Sequence, residues 1–232
     1  MLRGMTPTSS WRAVPKTGLV IAIDGPAGAG KSTLAAALAR RFRLPYLNTG
    51  LMYRAMAAAA LADRMDPEDG TALAARARSI RFALGSGEVP ELLIDGRSPG
   101  RSLSAGEVEA VVSRVAGHPA VRAVMRAEQR SLGASGSVME GRDIGTVVFP
   151  DAEVKFFLSA LPSVRAGRRR RERGGVRAAG EAVAHRDALD ARTNPPRPAP
   201  DAIVLDTTAL GSAEVLARAV EVVESAGNRG GR

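Results

Sequence analysis

The chain has 232 residues, 45% of them hydrophobic, enough for one sizeable core with a smaller lobe beside it. It contains no cysteine, which excludes disulfides, cysteine-ligated metals and thiol nucleophiles, and it has no run of about 18 apolar residues that could span a membrane. The formal net charge of +9 is carried almost wholly by arginine, since Lys16, Lys31 and Lys155 are the only lysines; this suits anionic partners, while an aromatic content of 3% counts against a stacking platform for single-stranded nucleic acid.

Residues 1–18 have no apolar segment of signal-peptide type and are expected to form a flexible extension, so a cytoplasmic location is expected. Residues 19–24, Leu-Val-Ile-Ala-Ile-Asp, read as a buried parallel strand. A glycine-rich turn follows at 25–30, then an Ala- and Leu-rich helix over 31–42 that ends in arginines. A short strand at 46–48 leads into an alanine-rich helix over 49–63. A polar break at 66–70 precedes a further helix at 71–78. Residues 80–100 read as a β-ribbon, with 91–94 its clearest strand and Asp95-Gly96 a turn. Two more helices are predicted at 104–115 and 119–132, then strands at 137–140 and 154–158. Residues 163–192 are strongly basic, 194–200 form a proline-rich loop, 203–206 are the last buried strand, and 212–225 are a closing amphipathic helix. The tail 227–232 is expected to be disordered. No internal repeat is present. Strands alternating with helices predict an α/β fold, a parallel sheet covered by helices on both faces.

Gly25, Pro26, Ala27, Gly28, Ala29, Gly30, Lys31 and Ser32 match G-x-x-x-x-G-K-[ST], with Thr33 next. Glycines let the backbone fold so that its amides face phosphate oxygens, and the helix behind adds its positive end. Lys31 supplies a mobile cation for the β- and γ-phosphates, and Ser32 a hydroxyl for Mg2+. The match follows a predicted strand, opens a predicted helix and uses one of three lysines, so ATP with Mg2+ is the expected ligand. Asp24, at the strand's end, is placed to support the loop or metal-bound water.

Three further segments bear on the acceptor. In Asn48-Thr-Gly-Leu-Met-Tyr-Arg54, Thr49 can cap the following helix, while Tyr53 and Arg54 lie one turn in. Gly141-Arg142-Asp143-Ile-Gly145 follows a core strand, where open α/β sheets bind ligands. Residues 165–190 hold Arg168 to Arg171, Arg173, Arg186, Asp187 and Asp190. Arginines that close over a transferring phosphoryl group stabilise its spread charge.

With these residues in view, the chain resembles the bacterial cytidylate kinase family. The resemblance rests on 23–33, 48–54, Gly141 to Asp151 with 154–158, and Arg186-Asp187 up to Asp201-Ala202 and 205–207, and it runs from about residue 19 to 225. It implies a P-loop nucleoside monophosphate kinase core in one domain over 19–226. That domain divides into a core (19–64, 133–162 and 201–226), a monophosphate-binding insert (65–132) and a short lid (163–200). It also implies transfer of the terminal phosphoryl group of ATP to CMP or dCMP, with Mg2+. Thr49, Arg54 and Arg142 carry over to the acceptor phosphate site, where Tyr53 is a further substrate-binding candidate by its position, Ser113, Arg122 and Asp143 to the cytosine, and Arg186 and Asp190 to the ribose side. Lys31, Arg142, Asp143 and the lid arginines Arg168 and Arg170 are the catalytic candidates.

The chain departs from the family pattern in three places. Asn48 stands where the family usually has Asp, which removes one carboxylate. Asp190-Ala-Arg-Thr193 replaces Asp-Ser-x-Arg, so a phosphate contact passes to Arg192 or Arg197. The lid is shorter and denser in arginine than usual. The alternatives are a kinase of another small acceptor such as UMP or AMP, a catalytically weak homologue, and an ATP-driven nucleic-acid-binding protein. A monomer that binds neither nucleic acid nor membrane is expected.

Overall fold

The computed structural model describes residues 18–104, 106–172 and 197–227. Its centre is a sheet of five parallel strands: β1 (Val20–Asp24), β2 (Tyr46–Asn48), β5 (Ser137–Glu140), β6 (Val154–Ser159) and β7 (Ile203–Asp206), in the order β2-β5-β1-β6-β7. Every residue of β1 is buried. Its side chains alternate between the two faces of the sheet, so a continuous apolar run serves two cores at once. Ile21 and Ile23 join one core, against α1 (Lys31–Phe42) and α7 (Ser212–Gly227). Val20 and Ala22 join the other, with Met139, Ile144 and Val148. Among the residues of α1, Leu34, Ala35, Leu38, Ala39 and Phe42 are buried, the helical spacing of one face.

A third cluster lies beside the sheet. It is built from α2 (Thr49–Ala62), α3 (Gly70–Ala77), α4 (Gly106–Gly117), α5 (Pro119–Gly133) and a two-stranded antiparallel ribbon of β3 (Phe82–Leu84) and β4 (Leu92–Ile94). Met52, Met56, Leu73, Val115, Val121 and Met125 are its fully enclosed side chains. In the Asp95-Gly96 turn both residues have positive φ, 49° and 77°, and the turn ties Ile94 to Arg97.

The structure departs from the predicted elements chiefly in two places. The helix predicted at 104–115 starts at Gly106, because Ser104 closes a 3-10 turn over Arg101–Ser104; Glu107 and Glu109 then sit in the first turn, at the helix's positive end. Residues Ile144–Val148, unassigned from sequence, form a single π-helical turn with a Phe149 N to Ile144 O bond of 2.7 Å. The basic segment begins as α6 (Pro162–Glu172), and the predicted strand at 154–158 runs to Ser159. Among the described residues no helix is long and apolar enough to cross a membrane.

Candidate active site

The chain leaves β1's left side (β2, β5) and continues on its right (β6, β7), so β1 marks the switch point of the sheet, and a cavity of about 260 Å³ opens beyond the carboxyl ends of β1 and β5. At one end lies the loop between β1 and α1. Gly25 has φ 141°, and a Cβ there would stand 2.2 Å from the Leu158 carbonyl oxygen; Gly28 has φ 76°, with the Arg165 carbonyl 2.8 Å from its would-be Cβ. Neither position tolerates a side chain.

The loop's carbonyls are fastened one after another by side-chain donors. Arg142 donates to Gly25 O at 2.6 Å, Lys31 Nζ to Pro26 O at 2.9 Å, and Arg165 to Ala27 O at 3.1 Å. Arg168 reaches Gly28 O at 3.5 Å, and Thr207 Oγ1 reaches Ala29 O at 3.0 Å. With its carbonyls engaged in this way, the loop is preorganised for an anion. Arg165 and Thr207 each lie more than 130 residues from the loop carbonyl they meet, so no local pattern marks them as supports of the loop; the burial of Arg165 is the signal that finds it.

Asp24 accepts from the N–H groups of Ile144 (2.8 Å) and Gly145 (2.7 Å), the first two residues of the π turn. Burial pushes its carboxyl up to about 6, against the pull of those two donors. Lys31 is pushed down to about 7, first by burial and then by the guanidinium of Arg142, with Glu140 opposing and Arg169 adding to the fall. The loop thus holds a lysine whose charge is poorly compensated until an anion arrives.

Glu140, at the end of β5, accepts from Ser32 Oγ at 2.9 Å and from the Tyr46 hydroxyl at 2.6 Å. Burial first, and then this carboxylate, hold the Tyr46 hydroxyl well above its usual range. Glu140 was read from sequence only as part of a core strand. It is the direct register partner of Asn48 across β2 and β5. The carboxylate absent at position 48 therefore has a counterpart on the adjacent strand, and Asn48 Nδ2 lies 3.5 Å from the Tyr46 hydroxyl.

The other end of the cavity is formed by α2, α4 and α5. Thr49 does not cap α2: it is the first helical residue, and its hydroxyl donates to Glu140 O at 2.7 Å. Arg54 is buried, donating to Leu103 O at 3.0 Å and to Glu109 at 2.5 Å. Asp143 accepts from Arg122 at 2.7 Å and Arg126 at 2.8 Å. The Arg122 guanidinium sits 6.0 Å over the Tyr53 ring, and burial raises the Tyr53 hydroxyl.

The cavity brings together Ala27, Lys31, Ser32, Thr49, Tyr53, Arg54, Ser113, Arg122, Arg142 and Asp143, all sequence candidates, along with Glu140 and Arg169. Of the two lid arginines named from sequence, Arg168 turns its guanidinium to Thr207, at 2.6 Å and 2.9 Å, and Arg170 is exposed and does not line the cavity; Arg169 does. Thr33 is exposed on α1. Arg186, Asp190 and Arg192 lie outside the described residues, and Arg197 is exposed. Five basic and two acidic side chains line the cavity, an excess that suits a ligand carrying several phosphate charges.

A sequence model described as cytidylate kinase matches residues 21–225. A cytidylate kinase of Geobacillus kaustophilus is 44% identical over 218 residues, which is 90% of this chain and 97% of that protein. A bifunctional pantoate ligase/cytidylate kinase of a Synechococcus strain is 42% identical over 225 residues; the match takes in 90% of this chain but spans 41% of that protein's length. The crystal structure of TT1252 from Thermus thermophilus aligns with a TM-score of 0.44 and 25% identity, over 90% of this chain and 97% of that one.

Proposed function

We infer the activity from one premise: this chain belongs to the cytidylate kinase family. It transfers the terminal phosphoryl group of ATP to CMP and dCMP, giving CDP and dCDP. The observation that carries this reading is a single cavity with an ATP-type phosphate loop at one end and an arginine-held carboxylate at the other.

No general base is required, because a phosphate oxygen of the acceptor is already a nucleophile at neutral pH. The protein's work is to align the donor and acceptor and to neutralise their charge. Lys31 leaves the Pro26 carbonyl for the β- and γ-phosphates, whose charge restores its full protonation. Arg142, anchored on Gly25 beside Lys31, lies between the two ends and orients the acceptor phosphate with Arg54. Arg169, on α6, adds a cation at the donor end. Asp143, Ser113 and Arg122 take the base. A carboxylate accepts from an exocyclic amine, which cytosine has and uracil lacks.

Mg2+ comes with ATP and supplies charge neutralisation on the donor phosphates. Ser32 and Glu140 would hold it: a hydroxyl and a carboxylate 2.9 Å apart suit a hard cation that takes one or two protein oxygens and completes its shell with phosphate and water. Among the described residues no group of three or more His, Asp or Glu side chains could hold a metal without the nucleotide. The protein acts as a cytoplasmic monomer with ATP and CMP or dCMP as its partners.

The test is a coupled assay of ADP release with ATP, Mg2+ and CMP, dCMP, UMP, AMP or GMP in turn. Preference for CMP and dCMP supports the reading. Equal rates with all five, or no turnover with any, sink the acceptor assignment while leaving the phosphate loop in place.

A further inference from the structure

Asp143 is held by two arginines of unequal standing. Both bond to the same carboxylate oxygen, Oδ2, and neither takes Oδ1. Arg122 and Asp143 line the cavity; Arg126, one helical turn further along α5, does not. Arg126 also keeps a buried Nε with no hydrogen-bond partner, a strained position for so polar a group. A guanidinium tolerated there owes its place to what its other nitrogen reaches, which is Asp143. Arg122, by contrast, lines the cavity, where it also donates to the Ala116 carbonyl at 3.4 Å and faces the Tyr53 ring, so it is the one of the two that an incoming base can meet.

We propose that Arg126 is a positioning residue for acceptor choice: it holds Asp143 by Oδ2 from behind the cavity, so that Oδ1 is presented as an acceptor when Arg122 moves to the substrate. This rests on the reading of the cavity as a cytidylate site. The chemistry is discriminating in one direction. An oriented, ionised carboxylate accepts from the amine of cytosine and repels the carbonyl oxygen that uracil carries at the same ring position. If Arg126 is lost, the carboxylate is held by Arg122 alone, and the same arginine cannot both fix Asp143 and serve the base.

The experiment compares kcat/KM for CMP and UMP in the native enzyme, Arg126→Met and Arg126→Gln, with thermal protection by CMP and UMP as a binding readout. The inference expects Arg126→Met to lower the CMP:UMP ratio by roughly tenfold or more, the scale of one oriented charged hydrogen bond, mostly through CMP. UMP turnover, which gains nothing from Oδ1, should change less than threefold. Arg126→Gln, which is shorter but keeps a donor, should fall between the native and Met proteins and carries the test if the Met variant does not fold. Equal losses for CMP and UMP would mean a merely structural role and overturn the inference, as would an unchanged ratio. A native enzyme with no preference for CMP overturns both this inference and the acceptor reading; a native preference that survives in both variants overturns this inference alone.

Discussion

The two ends of the cavity hold charge in opposite ways. At the donor end, cations crowd one another. Lys31 sits beside Arg142 and Arg169 with its proton loosened to about 7 despite the opposing pull of Glu140, and Asp24, at the end of β1, is spent on two backbone N–H groups. At the acceptor end, cations are already paired: Arg54 with Glu109, and Arg122 and Arg126 with Asp143. The donor end is therefore an electrostatic spring that an anion relaxes, whereas the acceptor end is a balanced network that a ligand must re-pair. Ion pairs in a low-dielectric pocket give orientation, and an excess of one sign of charge gives affinity for a ligand of the other. The difference teaches that phosphate capture and base choice can be assigned to separate groups on separate elements.

The largest expected effect breaks the donor end. Lys31→Met should lower kcat by about 10³-fold or more, since preorganised charge at the transferring group is worth that much, while the melting temperature of the nucleotide-free protein stays level or rises. The pH sign follows from its lowered proton affinity. Between about pH 7 and 10.5 the unfolded chain binds the proton that the folded chain has released, so stability contributed by this site rises with pH across that window. Melting curves of the native and Lys31→Met proteins over pH 7–10 should converge as pH rises; a gap that widens would refute this account.

Next, Gly25→Ala should be destabilising by upwards of about 2 kcal/mol and should abolish ATP binding, because its methyl would meet the Leu158 carbonyl and its φ is closed to alanine. Urea unfolding and nucleotide titration check both effects. At the boundary of the two ends, Glu140→Gln should weaken Mg2+ binding, raising the Mg2+ concentration for half-maximal rate by about tenfold, the scale of lost supporting contacts at a metal site. A Mg2+ titration at saturating ATP measures it. The smallest effect sharpens the role of α6: Arg170→Met, exposed and outside the cavity, should leave kcat within about twofold, whereas Arg169→Met should cost about tenfold or more. Equal losses for the two would erase the distinction drawn between neighbouring arginines.

The α/β class, the parallel sheet and the phosphate loop were legible in the chain because each depends on contiguous residues. The run 20–24 can only be a strand buried on both faces, and Gly25 to Ser32 can only close into a loop whose glycines adopt positive φ. Helix boundaries came within a residue or two for the same reason. The π turn at Ile144–Val148 was not legible, since what opens it is Asp24, 120 residues away, bonding the Ile144 N–H.

By itself, then, the sequence determined the elements, the loop and most of the kinds of residue that line the cavity, because short-range backbone preferences and a period-2 or period-3.6 pattern act within a few residues. Only the tertiary structure decided which carboxylate stands behind Ser32, which of four consecutive arginines lines the cavity, and which two arginines share Asp143. Glu140 meets Ser32 through the register of β5 on β1, Arg169 is selected by the angle at which α6 leaves β6, and Arg126 comes to Asp143 from α5, 17 residues back in the chain. Each of these contacts is fixed by how elements pack and not by any residue's own preference, and a burial pattern read along the chain does not carry that information.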